Sequence, residues 1–296
     1  MLTRDESNIS TDNHLYANLG SDDTVVDLIN QYKKKSLEVD LFIHTAGLAH
    51  KEKESYEIQE QMHKINVLGT KQILEVCEKV HIPKFVYVSS TAVYDFQSLS
   101  EDSHVNPKTC YGKSKLEAEK LVIKSSCSSY IVRLSTLFGE GDRYNFYKLS
   151  KIIKSGYFLI PGIKEIKKSV FPVKLASRLI LSLPFSSKKK SEIVNFALPQ
   201  SPEFGYICNC ITSLQNIKSP KVCPYYISRI LAWFCDFVSF FFKLPYNSRI
   251  LHKLSTDTEV STIKLQKLFP DEDFHDFGFY MSNYKNHYST NRKNLK

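Results

Sequence analysis

No two cysteines in these 296 residues have the two-residue gap of a metal knuckle or a redox pair; the closest two, Cys208 and Cys210, are separated by one residue. Seven cysteines is also an odd number, and together these facts read as reduced core thiols of a cytoplasmic protein. His44, His50 and His63 lack metal-ligand spacing, so no metal is expected. No apolar stretch follows Arg4 in the opening residues, so no secretory signal is expected there. The greasiest segment, 225–244, is interrupted by Arg229 and Asp236 and falls short of the roughly 20 clean apolar residues that span a bilayer. The lysine runs Lys33–Lys35 and Lys188–Lys190 are not interleaved with aromatics that could stack bases, so no nucleic-acid partner is expected. Glycine is scarce, with ten in the chain and none spaced as Gly-x-x-Gly-x-x-Gly.

What is present is a globular composition. Hydrophobic residues make up 42% and charged residues 24%, which is ordinary for a domain with a sizeable core. The formal charge is +9. That sign suits an anionic partner, such as a doubly negative nucleotide diphosphate. Segment 225–244 reads first as a packed helix of a second domain. The alternative is a helix lying on a membrane surface, with Arg229 and Lys243 at its ends.

Short apolar runs alternate with amphipathic stretches in the first half. Val39–Ala46, Phe85–Ser89 and Tyr130–Leu134 read as buried strands, and Glu60–Lys79 and Thr109–Lys124 as helices. Leu116, Leu121 and Val122 partly line one face of the second helix. Strands and helices in this alternation imply an α/β fold with a doubly wound parallel sheet. Such sheets bind ligands at the carboxyl ends of their strands. The expected division is a dinucleotide-binding domain over 1–150, rejoined by about 168–198 through a strand at Glu192–Leu198, a substrate domain mainly over 151–288, and a frayed tail at 289–296.

The chemistry concentrates in Val88-Ser89-Ser90-Thr91-Ala92-Val93-Tyr94 and Tyr111-Gly112-Lys113-Ser114-Lys115. Tyr111 and Lys115 are four apart, one helical turn along one face. A free tyrosine ionises near pH 10, so poising it near neutrality takes roughly 4 kcal/mol. A unit positive charge at about 4 Å, at an effective dielectric near 20, supplies about that much. Tyr111 would then move the proton of a hydroxyl while hydride passes at the adjacent carbon. Ser90 would hold the same oxygen. Tyr144 with Lys148 and Tyr147 with Lys151 share the spacing, as chance allows in a chain rich in both. Only Tyr111 follows a strand-end serine by about 20 residues and opens a long helix.

Further segments carry a resemblance, in order, over about residues 1–200. Asp40-Leu41-Phe42-Ile43-His44-Thr45-Ala46-Gly47, Asn66-Val67-Leu68-Gly69-Thr70, Arg133-Leu134-Ser135-Thr136-Leu137-Phe138-Gly139 and Lys168-Ser169-Val170-Phe171-Pro172-Val173 resemble the extended short-chain dehydrogenases/reductases, specifically the NAD-dependent epimerase/dehydratase family. That resemblance implies a Rossmann-like domain, a cofactor that is NAD or NADP, and a nucleotide-diphosphate sugar as substrate. It gives Ser90, Tyr111 and Lys115 the catalytic roles and places Thr45, Ala46, Gly47 and Asn66, with Tyr111 and Lys115, on the cofactor side. Ser90, Thr91 and Tyr111 would meet the substrate. Asn66 has a simpler reading as a bridge inside the fold, Gly47 as a turn, and His44 as a core residue. Arg4 is a mild pointer to NADP. The resemblance also implies a homodimer through the helices carrying Asn66 and Tyr111.

Three departures shape the expectation. Sugar dehydratases of the family carry an Asp-Glu pair where this chain has Thr91-Ala92, so a 4-epimerase or a 4-keto-sugar reductase is expected instead. Lys174 stands where relatives have an acidic residue. The family's opening strand and glycine-rich turn have no counterpart, which makes the Rossmann-like domain N-terminally incomplete. The expectation is that the natural protein starts upstream, and that this chain alone is weakly active and aggregation-prone. The rival readings are a 3β-hydroxysteroid dehydrogenase-like oxidoreductase with the same Ser-Tyr-Lys set, and a cofactor-free remnant of the fold.

Overall fold

The computed structural model describes residues 2–3, 15–49, 55–94, 100–156, 158–162, 166–185, 190–238 and 248–289. Arg4, His50, Lys188, Lys189, Phe240–Phe242, Lys243 and the tail beyond 289 lie outside the described residues.

The chain forms two units, one of Met1–Leu134 with Ile180–Asn195 and one of Ser135–Leu179 with Phe196–Lys296. The first opens with β1 (Leu2–Thr3), parallel to β2 (Leu15–Tyr16). It continues through α1 (Thr24–Lys34), β3 (Leu41–His44), α2 (Tyr56–Met62), α3 (Gly69–Lys79), β4 (Lys84–Ser90), α4 (Cys110–Lys124) and β5 (Ser128–Leu134). The chain then passes through β6 (Thr136–Phe138), α5 (Asn145–Lys154), β7 (Leu159–Gly162), β8 (Val170–Pro172) and α6 (Val173–Leu181). It returns as β9 (Ser191–Phe196), completing a four-stranded sheet of order β3-β4-β5-β9.

The pairings β3·β4 and β4·β5 are parallel, with His44 opposite Tyr87 and Ser90 opposite Leu134. Phe85, Val86 and Tyr87 of β4 are fully buried, as expected of a parallel strand covered on both faces. Ile73 and Cys77 of α3, Ala118 and Val122 of α4, and Leu28 of α1 pack with Phe85 and Tyr87 in one core. The three strands and the helix 109–124 expected from the sequence stand within about two residues of their expected ends, the usual scatter of such boundaries.

Two expectations need correction. The stretch read as one helix over 60–79 contains a π-helical turn, His63–Leu68, between α2 and α3. The inward face of α4 is also not the Leu116-Leu121-Val122 stripe. It consists of Gly112, Ser114, Lys115, Ala118, Glu119 and Val122, with Leu116 and Leu121 half-exposed. Polar groups satisfied by neighbours replace an apolar seam there.

In the second unit β6 runs parallel to β8 and β7 parallel to β10 (Lys221–Pro224). The remaining elements are α7 (Phe204–Gln215), α8 (Tyr225–Val238), α9 (Ser248–Ser255), α10 (Ile263–Leu268), α11 (Phe277–Ser282) and α12 (Lys285–Ser289). Phe138 anchors an aromatic cluster, its ring 4.9 Å from Phe277 and 5.5 Å from Phe146. Lys168 caps the carboxyl end of α9 by donating to the carbonyls of Lys253 and Thr256, satisfying oxygens the helix leaves unpaired. Lys174 pairs with exposed Glu140 at 3.1 Å. The packed-helix reading of 225–244 is corrected over α8: Ser228 and Ala232 face inward, while Tyr226, Ile230, Trp233 and Phe234 are exposed. No described helix is long and apolar enough to cross a membrane. All seven cysteines are free thiols, and Cys110, Cys210 and Cys235 are only half-buried.

Candidate active site

Parallel pairing delivers the carboxyl ends of β3 and β4 to the same edge of the sheet, so His44 and Ser90 end neighbouring strands. Beyond β3, Thr45 and Gly47 are exposed and Ala46 is half-buried. Beyond β4, half-buried Thr91 begins a short 3₁₀ turn, Thr91–Val93.

The helix α4 starts against that turn. Its first free N–H groups are capped by Thr109, whose hydroxyl accepts from the Gly112 amide at 3.0 Å, the usual role of a threonine at this position. A Cβ on Gly112 would collide with the Ala92 carbonyl oxygen and press on Pro107. Only glycine lets the first turn of α4, and therefore Tyr111, come this close to the end of β4.

The closeness has a chemical result. The Ser90 hydroxyl accepts from the Ala92 amide at 3.2 Å and hydrogen-bonds the Tyr111 phenol. Burial raises the Tyr111 pKa, and the Ser90 hydrogen bond pulls the opposite way. Tyr111 is therefore a neutral phenol at pH 7 in this state of the protein.

One turn further along, Lys115 is 4% exposed. Its ammonium donates to the Val88 carbonyl at 2.9 Å and sits 4.7 Å from the centre of the Tyr87 ring, a cation–π geometry. Burial lowers its pKa to about 8, opposed by the negative charge of Glu119. At neutral pH it is mostly charged. Val88 takes one of its three N–H donors.

Gly47 lies over this ammonium. A Cβ there would stand 3.2 Å from Lys115 Nζ and 3.3 Å from Asn66 Oδ1, so Gly47, Asn66 and Lys115 are brought together. Asn66 itself is fully buried inside the π turn. Its Oδ1 accepts from the Leu48 amide at 2.6 Å, and its Nδ2 donates to the Leu48 carbonyl at 3.0 Å and to Ser114 Oγ at 2.9 Å. The amide thus clamps the turn after β3 to α4. π turns concentrate at functional sites because they re-aim one side chain without breaking the helix.

His44 is a buried ring, 3.0 Å from Thr70 Oγ1, and its pKa is lowered to about 3, first by burial and then by the Lys115 charge. It is neutral at every physiological pH.

A second layer of polar residues escaped the sequence reading. Glu119 accepts from Arg133 Nε at 3.1 Å and Nη2 at 2.7 Å, and from the Ser89 hydroxyl at 2.5 Å. Arg133 Nη1 donates to the Tyr94 hydroxyl at 3.0 Å, which donates to Asn195 Oδ1 at 2.7 Å. Glu119 lies four residues after Lys115, so extending the Tyr111–Lys115 face one more turn would have found it.

The sequence pattern that defines the NAD dependent epimerase/dehydratase family matches residues 3–156, just over half of the chain. An N-acetyl-alpha-D-glucosaminyl-diphospho-ditrans,octacis-undecaprenol 4-epimerase of Escherichia coli O157:H7 is 33% identical over 114 residues, 36% of this chain and 34% of that protein. A sterol-4-alpha-carboxylate 3-dehydrogenase of Candida albicans is 33% identical over 161 residues, 51% of this chain and 39% of that protein. The chain thus matches between a third and two fifths of the length of these relatives. A crystal structure of the UDP-glucuronic acid 4-epimerase of Bacillus cereus, with UDP-glucuronic acid and NAD bound, shares the fold. Its TM-score is 0.68 at 16% identity, covering 94% of this chain and 82% of that one.

Proposed function

Since the chain belongs to the NAD dependent epimerase/dehydratase family, we propose that it serves oxidation and reduction at a carbon of a nucleotide-diphosphate sugar, as a 4-epimerase or a 4-keto-sugar reductase. The observation that carries this reading is the Ser90–Tyr111 hydrogen bond, with Lys115 buried one turn further along α4, at the strand ends where such sheets hold their ligands.

The residues fit a nicotinamide cofactor, NAD or NADP. Exposed Gly47 presents bare backbone above Lys115, where a flat ring can lie. Lys115 offers N–H donors for a ribose hydroxyl, and Thr45 and Ala46 border the same turn. Asn66 acts by holding Leu48 in place. When bound, the nicotinamide supplies hydride acceptance and return.

The chain's own groups manage the proton. Ser90 holds the sugar oxygen, and Tyr111 takes the hydroxyl proton on oxidation or gives one on reduction. Burial disfavours the Tyr111 phenolate and the Ser90 hydrogen bond favours it, while the Lys115 charge, supported by Glu119, stands one helical turn along the same face. Thr91 lies beside the substrate oxygen, and Thr91-Ala92 offer no acid or base for eliminating water.

Incubating the chain with NAD or NADP and a panel of UDP- and dTDP-sugars, read by NMR of the sugar, tests the reading. A change of configuration or reduction at one sugar carbon is expected, with turnover falling at least about 10³-fold in Tyr111→Phe. Full turnover in Tyr111→Phe would sink it. A second reading, oxidation of a 3β-hydroxysteroid by the same residues, is favoured by the likeness to the sterol dehydrogenase, and a sterol in the same panel separates the two. A cofactor-free remnant predicts that nothing in the panel reacts. A cytoplasmic homodimer, paired through the helices that carry Asn66 and Tyr111, completes the proposal.

A further inference from the structure

The helix α8 breaks the rule that apolar side chains are covered. Trp233 is 69% exposed, Tyr226 66%, Ile230 63% and Phe234 57%. At about 100° per residue, these four and Ile227 fall within one continuous band of the helix. Ser228 and Ala232, on the opposite side, are buried at 1% and 0%. Arg229 borders the band and is exposed.

The sequence on either side of this helix is one-sided in charge. Between residues 218 and 255 the sequence holds six basic residues, Lys218, Lys221, Arg229, Lys243, Arg249 and Lys253, against the single acid Asp236. Five of the chain's nine excess positive charges thus fall in this short segment. Asp236 is engaged by the Ser248 amide at 3.3 Å, and Lys218 and Lys221 are exposed.

We propose that α8 is a docking surface for an anionic phospholipid membrane and lies in the plane of the headgroups. The 14 described residues of α8 extend about 21 Å, less than a hydrocarbon core of about 30 Å, and Arg229 and Asp236 interrupt its apolar run. Tryptophan and tyrosine favour the interface between hydrocarbon and water because their rings are apolar at one end and polar at the other. Lysine and arginine beside the apolar band are what anionic lipids attract. A protein partner would account for the apolar band but not for the excess of basic residues. The inference does not depend on the chemistry assigned to Tyr111.

Trp233 is the only tryptophan of the chain, so its emission reads this surface directly. The full chain is titrated with vesicles of phosphatidylcholine, with and without phosphatidylglycerol, and bound protein is separated by flotation. The expected result is a blue shift of Trp233 and quenching by brominated lipid with the anionic vesicles only, weakened by added salt. Ile230→Ser with Phe234→Ser should weaken partition roughly tenfold or more. Arg229→Glu, which leaves the apolar band intact, should weaken it several-fold and flatten the salt dependence, so misfolding of the double variant would not leave the matter open. Unchanged Trp233 emission with anionic vesicles overturns the proposal. So does emission already blue-shifted without lipid that tracks a concentration-dependent mass, which would assign the surface to a second copy of the chain.

Discussion

Arg133 and Glu119 form a two-pronged ion pair with side chains 3% and 1% exposed. The pair joins β5 to the inward face of α4, and Ser89 of β4 adds a third hydrogen bond to the same carboxylate. Three elements in and behind the candidate site are thus held by one charged group. Burying two charges is costly, so the pair is weak evidence of net stabilisation, but leaving one of them alone is worse.

Glu119→Gln or Arg133→Met is therefore expected to destabilise the protein by about 3–5 kcal/mol. Replacing both partners by apolar residues of similar volume should recover most of that loss. Urea unfolding followed by far-UV circular dichroism checks this. A pair of single variants each within about 0.5 kcal/mol of the parent would contradict it.

Gly112→Ala should cost about 1–3 kcal/mol, because the new methyl meets the Ala92 carbonyl oxygen, which cannot step aside. The larger effect falls on the site. Pushing the first turn of α4 away from β4 would stretch the Ser90–Tyr111 hydrogen bond, so turnover should fall by more than the stability loss explains. Gly141→Ala is the contrast: an added methyl there meets nothing within 4 Å, although a φ of +86° carries its own strain.

The buried histidine contributes to acid sensitivity. With its pKa at about 3 in the folded chain and 6.5 as the ordinary value, the unfolded state binds a proton that the folded state refuses. Stability contributed by neutral His44 is present above about pH 6.5 and is lost as pH falls from there toward 3. At pH 5 the loss is about 2 kcal/mol. His44→Gln, which can keep the bond to Thr70, should remove this slope between about pH 6.5 and 5 in denaturation profiles. A parallel slope in parent and variant would refute the assignment.

The placement of the strand-end serine, the tyrosine and the lysine was legible because, of three Tyr-xxx-Lys pairs, only one follows a strand-end serine and opens a long helix. Ser90 ends β4, and Tyr111 and Lys115 share one face of α4. His44 was legible as a core residue, because an imidazole inside an apolar run has nowhere wet to go. The π turn was not. His63–Leu68 has the same apolar spacing as an ordinary helix, and the extra residue in the turn leaves no mark in composition. Glu119 and Arg133 were missed because charges separated in sequence declare no pairing until β5 and α4 are side by side. The exposure of α8 stood in the sequence only as the alternative to a packed helix: Trp233 and Phe234 look like core in a sequence, and only the fold reveals whether another element covers them.

The order of the sheet has a consequence in time. β9, which flanks β5, begins at Ser191, while β5 ends at Leu134. Ribosomes add about 5–20 residues per second, so roughly 3–11 s separate the synthesis of the two strands. Throughout that interval the outer N–H and C=O groups of Ser128–Leu134 lack the strand that finally covers them. A nascent chain of this protein thus carries an open sheet edge for seconds, long enough to meet another such edge on a neighbouring ribosome.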